Sequence, residues 1–406
     1  MHPPTPHELL DRIRELPAGR PLMAALGQAP AVYLVGGAVR DLLLGGAPGD
    51  LDLVVEGDPV PVARSIGPEV VVHDRFGTSS VTAAGFSYDL ARARREVYPR
   101  PGALPDVEPA PIAEDLRRRD FTINALAVAL GGEHPGEVVA FPGAIEDLGQ
   151  RVLRVLHPAS FIDDPTRLFR LARYRGRLGF SIAEETRARA SEAVRTGALE
   201  TLSGPRIGNE LRLLATEPDP VSAFLAMREL GLDQALHPGF GLRDEGLARR
   251  ALALLPADGR ADVLILALAS LGVPALELRD LLERLAFEAA DVRAILAAAS
   301  RPSELAGALA AAQRPSEIAT ATAGATPEAV ALAGALGAEA PAREWLEHLR
   351  DVKLEIDGRD LLAAGVPEGP AVGAALSAAL AAKLDGRARD RGAELAAALE
   401  AVRGTG

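Results

Sequence analysis

The sequence predicts an α+β protein, an α/β head with a mixed sheet followed by an all-helical remainder, and three observations carry that prediction. Short apolar runs alternate with helix-like segments as far as about Glu146, and beyond it the strand signal gives way to helical periodicity. The helical remainder is cut by Pro218, Pro238, Pro256, Pro274, Pro302, Pro315, Pro327 and Pro341, which makes its helices short and excludes a coiled coil. No fixed-period repeat is visible.

In chain order, residues 31–35 read as a strand, 38–44 as a helix, 51–55 as a strand and 61–66 as a helix. Residues 69–73, 78–83 and 86–91 follow as short β runs around Ala84-Gly85. Residues 92–111 are rich in Pro, Arg and Glu with little apolar pattern, and read as a long mobile loop. Helices are expected over 165–178, 184–194 and 205–215, with Ala/Leu-rich helices to the end.

The 406 residues leave room for two to four domains at roughly 100–200 residues each. The expected division is a head over 1–145, a helical neck over 146–216 and a helical body and tail over 217–406. The absence of cysteine excludes disulfides, thiolate zinc, iron–sulfur clusters and thiol nucleophiles, so a hard cation such as Mg2+ becomes the default metal. No secretory leader is visible, and the apolar run over 261–276 is broken by Asp262, Ser270, Gly272 and Pro274, so no membrane span and a soluble, cytoplasmic protein are expected.

A net charge of −12 argues against a uniformly basic nucleic-acid coat. Charge is unevenly distributed, however: between Asp147 and Arg212 twelve arginines face eight acids, and nearly all basic residues of the chain are arginine. Arginine's planar fork suits phosphates and base edges, although a GC-rich genome favours arginine codons as well.

The strongest chemical signal is VGGAVRD at 35–41 followed by Asp50-Leu51-Asp52. Gly36 and Gly37, at a strand–helix junction, let backbone N–H groups approach an anion, with Arg40 in the first turn beyond. Asp50 and Asp52, two apart on a strand, are expected to project from one face. Two such carboxylates beside a phosphate cradle suit a pair of Mg2+ ions holding a triphosphate and an attacking hydroxyl. Glu56, twenty residues past Gly36, would suit a dinucleotide fold, but neither G-x-G-x-x-G nor G-x-x-x-x-G-K-[ST] is present. The plainest alternative makes the glycines a turn and the aspartates a solvated strand face. Asp89, on a neighbouring strand, is a third candidate carboxylate, either activating the hydroxyl or completing a metal shell; alone it would be a strand-end charge.

Together these residues resemble the class II tRNA nucleotidyltransferase and bacterial poly(A) polymerase family, over at least residues 32–214. RRDFTINA at 118–125, with Arg119, Asp120 and Asn124, resembles its ribose-contacting motif. DLGQRVLR at 147–154 is similar to its hinge, DDPTR at 163–167 to its base-template motif, and Arg206-Ile207-x-x-Glu210 to the helix that braces the template. Residues 354–373 resemble its tRNA-contacting tail. Asp163 stands where the family commonly has glutamate, and His237 and His348 form no phosphohydrolase pair. The loop at 95–105 is similar to one that, in members adding CCA, only A, or only CC, helps the site change from C to A.

The resemblance implies a nucleotidyltransferase-type head, two Mg2+ ions on Asp50 and Asp52, ATP and CTP as substrates, tRNA as the partner, and no obligatory protein partner. Gly37, Arg40, Arg119, Arg170 and Arg173 would hold phosphate or sugar. The template has its own physical reading: Asp164 suits an N-cap before Pro165, and Arg167, Arg170 and Arg173 follow along the helix. Cytosine and adenine both offer an amino donor beside a ring-nitrogen acceptor. A carboxylate on Asp164 and a guanidinium on Arg167 therefore admit C and A and penalise U and G. The plain alternative is a capped helix with a solvated arginine face. Two functional alternatives remain: a poly(A) polymerase, disfavoured because Gly404-Thr405-Gly406 ends the chain without a basic extension, and a catalytically silent RNA-binding protein, disfavoured by the intact Asp50 and Asp52.

Overall fold

The computed structural model describes residues 4–26, 31–73 and 77–403; Gly404, Thr405 and Gly406 lie outside the described residues. The chain folds as two compact units, Met1–Ser203 with Glu229–Ala235, and Gly204–Arg228 with Leu236–Gly406.

The first unit carries the sheet. Its seven strands are β1 (Val32–Val35), β2 (Asp52–Val55), β3 (Glu69–His73), β4 (Thr78–Ala83), β5 (Phe86–Arg92), β8 (Leu126–Ala129) and β9 (Val138–Ala140), in the order β3-β4-β5-β2-β1-β8-β9. β2 and β5 run parallel and every other neighbouring pair is antiparallel, so the sheet is mixed as expected. β5 shows why one face becomes functional: Tyr88 and Leu90 are buried, while Ser87 and Asp89 alternate outward. Val35, Val54, Ala125 and Ala127 pack with Ile112 and Leu116 as one apolar cluster. The helices α1 (Pro6–Glu15), α2 (Gly19–Leu26), α3 (Gly37–Leu43), α4 (Pro59–Ile66) and α5 (Ile112–Arg117) belong to the same unit.

The segment read as a mobile loop is ordered instead. β6 (Arg94–Val97) and β7 (Asp106–Pro109) pair as an antiparallel ribbon. Its polar side chains hid it from a hydrophobic pattern: the backbone ladder pairs the strands, with Arg95 facing Glu108 across them as an exposed ion pair. Gly102 in its connection has φ +67°, and a Cβ there would lie 2.1 Å from Thr201 Oγ1.

Beyond α6 (Ala144–Gln150) the chain is helical as expected, with one small addition, the parallel pair β10 (Val152–Leu153) and β11 (Ser181–Ile182). α7 (Ser160–Asp163) leads into α8 (Thr166–Leu178), which buries Leu168, Phe169, Leu171 and Ala172 and ends on left-handed Gly179. α9 (Glu184–Arg195) follows. The second unit starts with α10 (Gly204–Ala215), on which Arg206 and Glu210 stand, and is helical throughout its described residues. No helix among the described residues is long and apolar enough to cross a membrane.

Candidate active site

One cavity of about 520 Å³ gathers most of the residues singled out from sequence. Gly36, Gly37 and Arg40 line it from the β1–α3 junction, and Asp50 and Asp52 from the approach to β2. Arg119, Asp120 and Asn124 line it from the α5–β8 segment, and Asp164, Arg167 and Arg170 from the start of α8. Gly36 has φ +69°, a left-handed backbone that favours glycine, and a Cβ there would sit 2.9 Å from Arg119 Nη1.

Asp52 opens β2, whereas Asp50 lies in the loop before it, which corrects the expectation that both stand on the strand. The strand begins where pairing begins: Asp52 faces Asp89 in the first pair of the β2–β5 ladder. Asp50 and Asp52 nonetheless line the same cavity. The Asp52 carboxyl is held above its ordinary value by desolvation first, then by Asp89 and Asp50, with Arg119 opposing. Asp89 accepts a hydrogen bond from Ser80 Oγ at 2.6 Å. It lines an adjoining cavity of about 420 Å³, whose wall shares Asp52, Arg118 and Arg119 with the first.

The arginines are anchored before any ligand arrives. Arg40 is buried, and donates from Nε to Asp41 and from Nη1 to Asn124 Oδ1, each at 2.8 Å. Asp120 accepts from the backbone N–H of Phe121, from Asn124 Nδ2 and from Arg170 Nε at 2.7 Å. Burial works to raise the Asp120 carboxyl, but Arg170 and Asn124 outweigh it and hold it below the usual carboxylate range. Arg119 donates to Asp115 at 3.1 Å, while its buried Nε has no protein partner. Burial lowers its guanidinium below the ordinary value, with Asp115 opposing. An orphaned donor on a cavity wall is a feature an incoming anion would satisfy.

At the template, Asp164 Oδ1 accepts from Thr166 N and Thr166 Oγ1, but α8 starts at Thr166 with Pro165 at its N-cap, which corrects the expectation that Asp164 takes that position. Arg167 is 4% exposed and donates to Ser160 Oγ and to the Arg118 carbonyl, both at 2.7 Å. Arg173, expected among the phosphate-holding residues, does not line this cavity. The helix turns about 100° per residue, and three residues on from Arg170 the side chain has left the lining stripe.

Sequence reasoning missed several lining residues. Tyr174 packs edge-on against Phe121, with the guanidinium carbons of Arg40 and Arg170 at 5.6 and 5.7 Å from its ring centroid. Its position one helical turn after Arg170 is the signal that could have found it. Tyr98 and Glu96 also line the cavity from the ribbon. Glu96 accepts from Tyr98 Oη at 3.0 Å and from Arg118 Nη1 at 2.9 Å, tying β6 to the RRDFTINA motif. Glu56, the residue a dinucleotide fold would have used, caps α5 by accepting from Ile112 N at 2.6 Å. In the hinge motif, Asp147 accepts from Thr122 Oγ1 and Arg154 Nε.

Among the described residues no group of three or more His, Asp and Glu is assembled as a metal site. Asp50 and Asp52 nevertheless supply two hard oxygen donors on one wall, and Asp89 beside them adds to the negative charge that, after burial, raises the Asp52 carboxyl and that a divalent cation would offset. The donor set fits such an ion if a ligand supplies the remaining oxygens.

Comparison with known proteins gives the same picture. Residues 32–154 match the family described as "Poly A polymerase head domain", and 179–241 the one described as "Probable RNA and SrmB- binding site of polymerase A". The A-adding tRNA nucleotidyltransferase of Geobacter sulfurreducens is 47% identical over 212 residues, which are 51% of this chain but only 24% of that relative. The CC-adding tRNA nucleotidyltransferase of Deinococcus radiodurans is 35% identical over 352 residues, 86% of this chain and 83% of the relative. The structure of the Thermotoga maritima CCA-adding enzyme complexed with tRNA is similar over 98% of this chain and 99% of that one, with a TM-score of 0.79 at 28% identity.

Proposed function

The chain belongs to the class II CCA-adding enzyme family, and from that premise we propose that it adds A, C or both to the 3′ end of tRNA, using ATP and CTP. The observation that carries the proposal is the single cavity in which the glycine pair and Asp50/Asp52 meet Asp164 and Arg167. Triphosphate chemistry and base selection are thereby served by one site. In this reading residues 1–145 are the catalytic head, 146–216 the neck holding the template, and 217–406 the RNA-binding body and tail.

The RNA 3′-hydroxyl attacks the α-phosphorus, the bond to the β-phosphate oxygen breaks, and pyrophosphate leaves. Gly36, Gly37, Arg40 and Arg119 bind the phosphates, with the orphaned Arg119 Nε as an available donor. Asp120 and Asn124 contact the sugar, and Arg170, braced on Asp120, neighbours them. Asp164 accepts from the base amino group while Arg167 donates to the ring nitrogen. Enzymes of this family generally use divalent metals; Asp50 and Asp52 would hold two Mg2+ ions, which when bound would offset charge developing on the reacting oxygens. Asp89, in register beside Asp52, either takes the hydroxyl proton or completes the ligand set.

The test supplies purified protein with tRNA ending before the first C, after CC, and complete, together with CTP and ATP separately and combined. The ordered ribbon over β6 and β7 supports ATP addition after CC as the expected product, because A addition is the step for which the family uses this loop. Incorporation of neither nucleotide into any of the three acceptors would leave the silent RNA-binding reading, and a long A tract on any RNA would favour the poly(A) polymerase.

A further inference from the structure

We infer that Ser160 and His157 are positioning residues for nucleotide selection, fixing the Arg167 guanidinium so that its remaining donors address the base. The inference rests on the reading that Arg167 selects the base, and it assigns work to two residues outside the template motif. Ser160 is fully buried at the start of α7, and its Oγ accepts from Arg167 Nη1 at 2.7 Å. His157 Nε2 lies 3.5 Å from the same Nη1, and the Arg118 carbonyl takes a hydrogen from Nη2 at 2.7 Å. The two Nη1 hydrogens and one on Nη2 are directed to these three groups. Among the described residues no partner takes Nε–H or the second Nη2 hydrogen.

An arginine held on one side discriminates better than a loose one. A free guanidinium would swing to meet the O4 of uracil or the O6 of guanine, whereas a fixed one leaves the wrong base with its donor against a donor. Holding it therefore converts hydrogen-bond geometry into selectivity, as outer-shell partners do for metal ligands.

His157 makes the arrangement sensitive to protons. The groups facing it are Arg167 from α8, Asp163 at the end of α7, 3.9 Å away, and Arg189 from α9. Burial first, then the charge of Arg167, lowers the imidazole below its ordinary value; Arg189 adds to this and Asp163 opposes. The ring is thus neutral at physiological pH and Nε2 can accept from Nη1. Protonation replaces that acceptor with a donor and sets a second cation against Arg167. Because the folded-state value is lowered, the change falls on the acid side of about pH 6.5.

The test measures dissociation constants of the full chain for ATP, CTP and UTP at neutral and acid pH, with thermal melting as a fold control, for the wild type, Ser160→Ala, His157→Gln and His157→Phe. Ser160→Ala is expected to lower the preference for ATP and CTP over UTP by about tenfold, the scale of one charge-assisted hydrogen bond. His157→Gln, which keeps a neutral acceptor, should retain the preference and abolish its loss in acid, while His157→Phe should lose part of it at neutral pH. Equal weakening of all three nucleotides by Ser160→Ala, or an acid loss of preference that survives in His157→Gln, would overturn the inference. Should Ser160→Ala fail to fold, the two His157 variants decide it alone. A wild type without any preference overturns the template reading as well, and that result is seen before any variant is compared.

Discussion

Asp52 and Asp89 stand opposite one another in the first register of the parallel β2–β5 pair. That pairing sets a carboxylate on each of two adjacent strands at the boundary between two cavities, with Ser80 holding Asp89 from the third strand. Asp52→Ala and Asp50→Ala should each lower nucleotide transfer by roughly 10²-fold or more, the scale for removing a group that acts on the transition state. RNA affinity should stay within a few fold, because binding is supplied elsewhere. Turnover and a filter-binding titration on the same preparations check this, and a tenth or more of wild-type turnover in both variants would remove these residues from the chemistry.

Asp120 accepts from three donors, including Arg170, in a nearly closed environment. Asp120→Ala strands those donors and should cost about 1–3 kcal/mol of stability. Activity should fall further than stability explains, since Arg170 loses its brace. Denaturant unfolding beside nucleotide titration separates the two effects.

Arg167 and Arg170 stand three residues apart on α8 and should fail differently. Arg167→Ala should narrow the preference for ATP or CTP over UTP and GTP as well as slow transfer, because the donor that penalises a ring N–H is gone. Arg170→Ala should raise KM for every nucleotide by a similar factor and leave the ratios unchanged. Single-nucleotide incorporation kinetics with all four triphosphates distinguish the outcomes. Wild-type ratios in Arg167→Ala would place base selection elsewhere.

RNA binding should weaken steeply with salt despite the net charge of −12, since the arginines concentrated between Asp147 and Arg212 displace counterions from phosphates. A titration across ionic strengths around physiological would show it; a flat profile would contradict a phosphate-gripping neck and tail.

Glu394 is buried in the C-terminal helical cluster, accepting from Lys383 Nζ at 2.6 Å and from the N–H groups of Glu355 and Ile356. Burial works to raise its carboxyl, but Lys383 and the two amides outweigh it and hold the group below its ordinary value of 4.5. A depressed folded-state value means a stabilising contribution that is complete above pH 4.5 and lost as pH falls through the folded value. Glu394→Gln should therefore melt at a lower temperature at neutral pH, and the gap should shrink in acid. A melting series over pH 3–7 tests this; a constant gap would assign the loss to packing alone.

The template shows how far residue order reaches. Asp164 and Arg167 were legible because an acid and a proline ahead of a helical arginine stripe obey local rules, although Pro165 rather than Asp164 takes the N-cap. Arg173 obeyed the same rules and still fell outside the cavity, since the width of the stripe that faces a ligand depends on what the helix packs against. Asp50 illustrates the converse: its spacing from Asp52 suggested one strand, but the strand starts where β5 becomes available as a partner. The β6–β7 ribbon escaped notice because its strands are polar, with Arg95 facing Glu108, and show no apolar period.

By itself the sequence determined the α/β head and its helical continuation, the glycine pair at the β1–α3 junction and the acids and arginines available for chemistry, because these depend on periodicity, turn chemistry and composition within short windows. Only the tertiary structure decided that Glu56 caps a helix, that Tyr174 lies beside two arginines, and that Ser160, His157 and the Arg118 carbonyl meet at Arg167. Those arrangements join residues distant in the chain. Their partners are chosen by which strands pair and which faces are buried, and neither is written in any local stretch of sequence.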